Sequence, residues 1–230
     1  MKITHRFVII TAIFVTCLIT SNIIVIKPLN LGFSILDIPV PLPAAIIIFP
    51  LSYIVGDILT EVYGYRMARR VIWLGFFCNL IAVIAIWLGQ ILPPNPMWGG
   101  QEAYESTLGY MPRILFASFV AYLVGEFSNS FILAKMKVRT KGRWLWARTI
   151  GSTVIAQLLD AAVFIPLAYI GLFETKFIIV ASVTLWIAKV LYEVIATPLT
   201  YAIVNYLKRK EGVDTFDYET NFTPFSMDLD

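Results

Sequence analysis

The chain has 230 residues, of which 59% are hydrophobic and 14% are charged, whereas a soluble domain carries about a quarter charged residues. This composition excludes an ordinary soluble globular protein and indicates a single membrane-embedded domain. The formal net charge of +3 reflects basic residues gathered on one side of the predicted spans, so it gives no evidence for binding to nucleic acid.

Six apolar stretches follow one another along the chain. Each is long enough for a helix to cross the hydrocarbon core of a bilayer, which takes about 20 residues. The first stretch follows two basic residues but is too long for a signal peptide and lacks a small-x-small cleavage site, so we expect a retained helix. The pattern predicts an all-α, polytopic membrane protein with six transmembrane helices over residues 4–28, 43–65, 70–92, 112–135, 148–172 and 178–207.

The basic residues predict the orientation of these spans. Fourteen of the eighteen lysines and arginines lie before the first stretch or in the connections that fall on the same side of the membrane. The opposite connections hold only Lys27, Arg113 and Lys176. Because loops rich in lysine and arginine stay in the cytoplasm, we expect the N and C termini to be cytoplasmic.

The chain ends in an acidic segment. Residues 211–230 contain six acidic residues and no basic one, with Thr, Phe and Pro between them. Such a composition is typical of disorder. The sequence therefore predicts a transmembrane domain over residues 1–210 and a disordered cytoplasmic tail over 211–230.

Several kinds of chemistry are excluded by the residues present. His5 is the only histidine and lies near the terminus, so neither a metal site nor a Ser/His/Asp or Cys/His triad is expected. There is no GxxxxGK[ST] motif to cradle phosphates. Cys17 and Cys78 both fall inside apolar stretches and predict no disulfide. We expect a protein that is not an enzyme, holds no cofactor and does not hydrolyse ATP by itself.

Ionisable residues inside the stretches point to function. An ionisable group at membrane depth costs about 2.5–3.5 kcal/mol, so such groups must face the interior of the bundle, pair with one another, or be neutral. Five acids are set against a single base, which favours a polar cavity over polar contacts that merely join helices, although the second reading stays open for any one residue. The six are Asp57, Glu61, Glu126, Asp160, Glu193 and Lys189.

Spacing along the predicted helices refines this set. Glu126 and Asn129 are three residues apart, as are Gln157 and Asp160, so each acid shares a helix face with an amide. Asn22 adds another amide on the first stretch. Asp160 lies about midway along its stretch with no base within a turn on that stretch, and we predict an unpaired carboxylate there.

Two further pairings follow from position. Lys189 and Glu193 are four residues apart and are predicted to form an ion pair within one helix. Asp57 is deep enough to need the cavity, whereas Glu61, near the end of its stretch, is expected to be a structural partner of Arg66 or Arg69.

A short internal similarity relates the second and fourth stretches. SYIVGD (52–57) and AYLVGE (121–126) share Tyr-x-Val-Gly-acid. We expect Gly56 and Gly125 to allow a neighbouring helix or a ligand to approach beside each carboxylate. Tyr53 and Tyr122 add aromatic surfaces next to the polar positions.

Three segments together identify a family. FPLSYIVGDILTEVYGYRMARRVIWLGF, VGEFSNSFILAKMKVRTKGRWLWARTIGSTVIAQLLD and LWIAKVLYEVIATPLTYAIVNYLKR resemble the queuosine precursor transporter family, also called the vitamin uptake transporter family. The resemblance implies an inner-membrane protein of six helices that imports 7-cyano-7-deazaguanine, with 7-aminomethyl-7-deazaguanine as a second substrate, for salvage into tRNA queuosine. Its partners would be a purine-like small molecule and the lipid bilayer; a homodimer is left open.

The ligand implied by the resemblance fits the polar residues. A deazaguanine presents an N1–H and an exocyclic amine, which a carboxylate accepts, and a carbonyl, to which an amide or ammonium donates. An alternative of another class is a substrate-binding subunit that needs an ATP-driven partner, and an intramembrane enzyme is disfavoured. The predicted substrate site, centred on Asp160, comprises Asp160, Gln157, Glu126, Asn129, Asp57, Asn22, Lys189, Glu193, Tyr53 and Tyr122.

Overall fold

The computed structural model describes residues 4–25, 27–29, 32, 34–35, 38–39, 42–109, 112–171 and 174–225. The fold is all-α, as predicted. Its helices are α1 His5–Ile24, α2 Phe49–Tyr63, α3 Tyr65–Ile91, α4 Gln101–Leu108, α5 Pro112–Arg139, α6 Leu145–Tyr169 and α7 Thr175–Glu211. A 3-10 helix, Ala44–Ile47, precedes α2.

Two small antiparallel ladders lie in the connection between α1 and α2, where no strands were expected. β1 (Pro28–Leu29) pairs with β4 (Leu42–Pro43), and β2 (Ser34–Ile35) pairs with β3 (Ile38–Pro39). Each strand has only two residues, so these ladders shape the connection without changing the helical class of the protein.

Within the described residues, five helices are long and apolar enough to cross a membrane: α1, α3, α5, α6 and α7. The predicted second span, residues 43–65, takes another form. It is divided into the 3-10 helix and α2, and α2 has 15 residues. At a rise of 1.5 Å per residue, α2 is about 22 Å long, shorter than a hydrocarbon core of about 30 Å.

The short helix α2 lies in the centre of the bundle. All of its residues from Ser52 to Tyr63 are buried, and it packs against α1, α3, α5 and α7. The long helices instead expose large apolar side chains, such as Ile81 and Ile195, on their outer surface. Because the neighbouring helices shield α2 from lipid, the carboxylates of Asp57 and Glu61 make no contact with the hydrocarbon core.

A sharp turn at Gly64 joins α2 to α3. Its φ is 84°, in the left-handed region that favours glycine. A Cβ at this position would also lie 2.7 Å from Cγ2 of Thr215. Glycine is therefore required here both by the backbone conformation and by the close approach of the C-terminal segment.

The C-terminal segment, residues 212–225, packs against the bundle, which differs from the disorder expected of an acidic tail. The carboxylate of Asp217 is buried and accepts a 3.0 Å hydrogen bond from the backbone N–H of Tyr65, at the start of α3. Buried Arg69 donates to the backbone carbonyls of Asn221 and Thr223. The segment thus supplies hydrogen-bond acceptors to a helix N-terminus and to a buried guanidinium. The last part of the predicted tail, 226–230, lies outside the described residues.

The start of α1 and the end of α7 lie at the same end of the bundle. The hydroxyl of Thr4, the N-cap of α1, donates to the carboxylate of Glu211 at 2.8 Å. Arg6 lies 3.6 Å from the same carboxylate. This is the end of the bundle at which α2 turns into α3.

Candidate functional site

A cavity lies where α1, α5, α6 and α7 meet the segment that leads into α2. Its polar lining consists of two serines, one amide and one ion pair, and two phenylalanine rings supply much of its apolar surface. These lining residues are Ser21, Asn22, Ser118, Asp160, Lys189, Phe49 and Phe164. The cavity therefore offers hydrogen-bond donors, acceptors and flat apolar faces to one ligand.

The ion pair joins α6 to α7. Nζ of Lys189 lies 2.5 Å from Oδ2 of Asp160, and both side chains are almost wholly buried. Two sequence predictions are therefore wrong: Lys189 does not pair with Glu193, and Asp160 is not unpaired. Spacing along one helix cannot reveal a partner on another helix. Lys189 pairs with Asp160 on α6 instead of with Glu193 on its own helix.

Aromatic rings hold the ammonium group in place. Nζ of Lys189 lies 4.7 Å from the ring centroid of Phe49 and 5.5 Å from that of Tyr53. Both distances are within cation–π range. The ammonium group of Lys189 thus lies between the carboxylate of Asp160 and two aromatic rings of α2.

Three of the ten predicted site residues line the cavity: Asn22, Asp160 and Lys189. Asn22 also donates to Oδ1 of Asn79 at 3.2 Å and accepts from the hydroxyl of Ser118 at 3.3 Å. The remaining seven residues of the prediction do not belong to the described lining of the cavity. They are Gln157, Glu126, Asn129, Asp57, Glu193, Tyr53 and Tyr122.

Most of these seven form a second group, which we call the acid cluster: Asp57, Glu126 and Glu193 with Asn129, Gln157 and Tyr53. All six are buried. Nδ2 of Asn129 donates to Oδ1 of Asp57 at 2.5 Å. Both carboxylate oxygens of Glu126, both amide atoms of Gln157 and the hydroxyl of Tyr53 lack a hydrogen bond of normal geometry. The cluster is therefore polar, closed to solvent and incompletely satisfied.

The two glycines of the internal similarity allow close approach of acidic side chains, as predicted. A Cβ on Gly56 would lie 3.2 Å from Oε2 of Glu126, and one on Gly125 would lie 3.2 Å from Cβ of Asp160. Each glycine thus receives an acidic residue from a neighbouring helix. The pair connects α2 to α5 and α5 to α6 at the level of the polar interior.

Glu61 has a structural environment, as predicted, but with other partners than Arg66 or Arg69. Its Oε1 lies 2.8 Å from Arg148, 2.7 Å from Lys208 and 3.7 Å from Lys137. We call these four residues the basic cluster; it lies at the end of the bundle where α1 begins and α7 ends. The three bases come from α5, α6 and α7, so Glu61 joins α2 to all three helices.

Asp214 extends the basic cluster into the C-terminal segment. It lies 2.6 Å from Lys137 and 3.0 Å from Lys208. Burial by itself raises the pKa of Asp214, but hydrogen bonds from Lys137 and Lys208 outweigh it, and the pKa lies below its usual value. The stabilisation from this contact is present above the ordinary pKa of an aspartate and is lost as the pH falls through the lowered one.

Among the cavity residues that were missed from the sequence, four are polar or aromatic: Ser21, Ser118, Phe49 and Phe164. Phe164 lies four residues after Asp160 and therefore shares its helix face, a signal that could have identified it. Ser21 precedes Asn22 directly. Phe49 and Ser118 have no such marker, because their place depends on how α2 and α5 pack.

These features define a class. A multi-pass helical bundle that encloses a cavity with a buried ion pair is the arrangement of membrane transporters for small molecules, in which intramembrane charges mark the substrate site. Residues 43–203 match the family model described as "Putative vitamin uptake transporter". The chain belongs to this family, and it is a multi-pass protein of the bacterial inner membrane.

Curated relatives agree with this assignment. The chain is 27% identical over 157 residues to the "Probable queuosine precursor transporter" of Bacillus subtilis (strain 168), covering 67% of this chain and 68% of that protein. It is 26% identical over 121 residues to the "Queuosine precursor transporter" of Escherichia coli (strain K12), covering 53% of this chain and 52% of that protein. A "Probable queuosine precursor transporter" of Haemophilus influenzae matches at 26% over 121 residues, covering 53% of this chain and 49% of that protein. No solved structure matches the chain.

Proposed function

We propose that this protein imports a queuosine precursor of the 7-deazaguanine class across the inner membrane. The first candidate substrate is 7-cyano-7-deazaguanine, and 7-aminomethyl-7-deazaguanine is the second. The observation that carries the proposal is the Asp160–Lys189 pair at the wall of the cavity. The names of the relatives support the choice of substrate.

The ion pair matches the hydrogen-bonding edge of a deazaguanine. Asp160 supplies acceptor oxygens for the N1–H and the exocyclic amine, while Lys189 supplies a donor for the adjacent carbonyl. A buried carboxylate–ammonium pair therefore presents both signs of polarity side by side. Asn22 and the two serines add donors and acceptors for the rest of the molecule.

The rings of Phe49 and Phe164 complement the flat faces of the same substrate. Both line the cavity together with the ion pair. Aromatic rings stack on heterocycles with a gain of about 1–3 kcal/mol per base. Polar contacts at the edge and stacking on the faces together select a planar, guanine-like molecule over aliphatic vitamins.

We further propose that the protein has the topology expected from the sequence, with six membrane crossings. The 3-10 helix and α2 together form the second of six crossings, with α2 buried among the other helices. The basic cluster and both chain ends face the cytoplasm, as the distribution of lysine and arginine favours. The cavity is then on the side opposite the basic cluster, where Pro43 and Ala45 of the connection between α1 and α2 line it.

Uptake by the purified chain alone tests the proposal. Proteoliposomes preloaded with unlabelled 7-cyano-7-deazaguanine are expected to exchange it for labelled substrate added outside, and protein-free liposomes should not. The alternative is that the chain is a substrate-binding subunit that needs an ATP-driven partner. Binding of the substrate without any exchange would favour that alternative and contradict the proposal.

A further inference from the structure

Three carboxylates of the acid cluster form no salt bridge with any base in the described part of the chain, although they lie deep inside the bundle. Glu126, Asp57 and Glu193 are 1%, 0% and 2% exposed. Oε1 and Oε2 of Glu126, Oδ2 of Asp57 and Oε1 of Glu193 accept no hydrogen bond. The nearby ammonium of Lys189 is already engaged by Asp160. Three unpaired negative charges at this depth are expensive, so the cluster requires a positively charged companion.

The acidic side chains are arranged in a row and do not surround a single point. Glu126 lies next to the ion pair, because a Cβ on Gly125, the residue before it, would lie 3.2 Å from Cβ of Asp160. Glu126 also lies next to Asp57, because a Cβ on Gly56, the residue before Asp57, would lie 3.2 Å from Oε2 of Glu126. Glu193 on α7 interacts electrostatically with Asp57. The row therefore begins beside the ion pair of the cavity and continues away from it through α5, α2 and α7.

The far end of the row approaches the basic cluster. Asp57 and Glu61 are one turn apart on α2 and interact electrostatically. Glu61 is held by Arg148 and Lys208. The titratable and charged groups that face the acid cluster from its surroundings are Asp160, Lys189, Tyr122 and Glu61.

A proton fits this arrangement better than a metal ion. In the part of the chain that the structure describes, no three His, Cys, Asp or Glu side chains come together as a metal site. A proton needs only one carboxylate oxygen at a time, and it can pass along a row of acids. It also removes the charge that makes each buried carboxylate costly.

We propose that the acid cluster is a proton-binding site that couples substrate import to the proton gradient. The inference rests on the proposed transport function and adds its energy source. A proton from outside binds a carboxylate oxygen of the cluster and is released from it to the cytoplasm; no other bond forms or breaks. Glu126 is the link, because the ion pair that the substrate contacts acts directly on it.

Proteoliposomes with a trapped pH indicator test this inference. With the membrane potential clamped, a gradient of one pH unit, alkaline inside, is expected to support about tenfold accumulation if one proton accompanies each substrate, since 1.4 kcal/mol is a factor of ten. Substrate influx should acidify the lumen, and a protonophore should abolish both effects. Accumulation that ignores the pH gradient, or follows a sodium gradient instead, would overturn the inference while exchange still shows transport. Absence of exchange in the same vesicles would refute the proposed function and this inference with it.

A matched pair of variants assigns the proton to the cluster. Glu126→Gln is expected to lose the gradient-dependent part of accumulation, so that the ratio of exchange to accumulation rises. Glu102→Gln makes the same chemical change at an exposed position of α4 and should behave as wild type. Unaltered gradient dependence in a monodisperse Glu126→Gln protein would overturn the assignment. If this variant does not fold, Asp57→Asn provides the same comparison.

Discussion

Asp160 on α6 and Lys189 on α7 form a buried ion pair with a separation of 2.5 Å at the wall of the cavity. The two residues are 29 positions apart, so the pair links two helices that also pack along their length. It is at once a structural contact and the group that presents an acceptor and a donor to a ligand. These two roles can be separated experimentally.

Removing only the ammonium is expected to destabilise the protein. Lys189→Met leaves the carboxylate of Asp160 buried without its partner, a change that typically costs about 3–5 kcal/mol. The double variant Lys189→Met with Asp160→Leu removes both charges and should recover most of the melting temperature. Lys176→Met, at an exposed position of the same helix, is the control. A double variant no more stable than the single one would contradict the pairing.

Glu61 is expected to be essential for folding because it joins α2 to three other helices. In Glu61→Gln, the wholly buried guanidinium of Arg148 loses its carboxylate, with an expected cost of about 3–5 kcal/mol. Glu105→Gln, on the exposed surface of α4, should leave thermal stability unchanged. Equal melting temperatures for Glu61→Gln and wild type would show that the basic cluster does not hold the bundle together.

The C-terminal segment is expected to stabilise the fold. Asp217→Ala removes the acceptor for the backbone N–H of Tyr65, and loss of such a cap costs about 0.5–2 kcal/mol. Deletion of residues 213–230 should cost more, because it also removes the acceptors of Arg69. Tyr218→Ala, at a largely exposed residue, is the matched control. Truncated protein that melts like wild type would mean that the segment does not pack on the bundle in the membrane.

The topology can be checked with reporter fusions. Reporters placed after Lys210 or within residues 137–143 are expected to read cytoplasmic, and one within residues 96–108 should read external, because of the distribution of basic residues. The start of α1 already contacts the end of α7 through Thr4 and Glu211. A reporter after Lys210 that reads external would contradict the orientation.

Sequence reasoning predicted the helices well, because long apolar stretches carry a strong signal. The polar interior was less accessible. That Asp57 and Glu126 are buried followed from the cost of charge in lipid, but the partner of Lys189 did not, since contacts between helices leave no trace in the spacing along one helix. The same limit applies to α2. Its apolar composition predicts a span, whereas its division from the 3-10 helix and its central position follow from packing.

The C-terminal segment shows a different limit. Its acidic composition is typical of disorder. Composition alone does not show which hydrogen-bond donors of the folded bundle a segment will bind. Asp217 lies far from the turn at Gly64 in sequence, yet that turn is where it binds. Tertiary contacts of this kind can be seen only once α3 is in place.

Binding of 7-cyano-7-deazaguanine to Asp160→Asn tests directly whether the carboxylate of Asp160 accepts hydrogen bonds from the substrate. Asparagine keeps the size of the side chain but replaces one acceptor oxygen with a donor that faces the donors of the ligand. This mismatch should weaken binding by about 2–4 kcal/mol, or roughly 30- to 1000-fold in Kd. If the single variant does not fold, the double variant Asp160→Asn with Lys189→Met leaves no unpaired buried charge and serves the same purpose. We expect titration calorimetry of the folded variant to detect this loss of affinity, and Glu102→Gln to bind the substrate as wild type does. Binding by folded Asp160→Asn within about threefold of wild type, under 1 kcal/mol, would contradict the account.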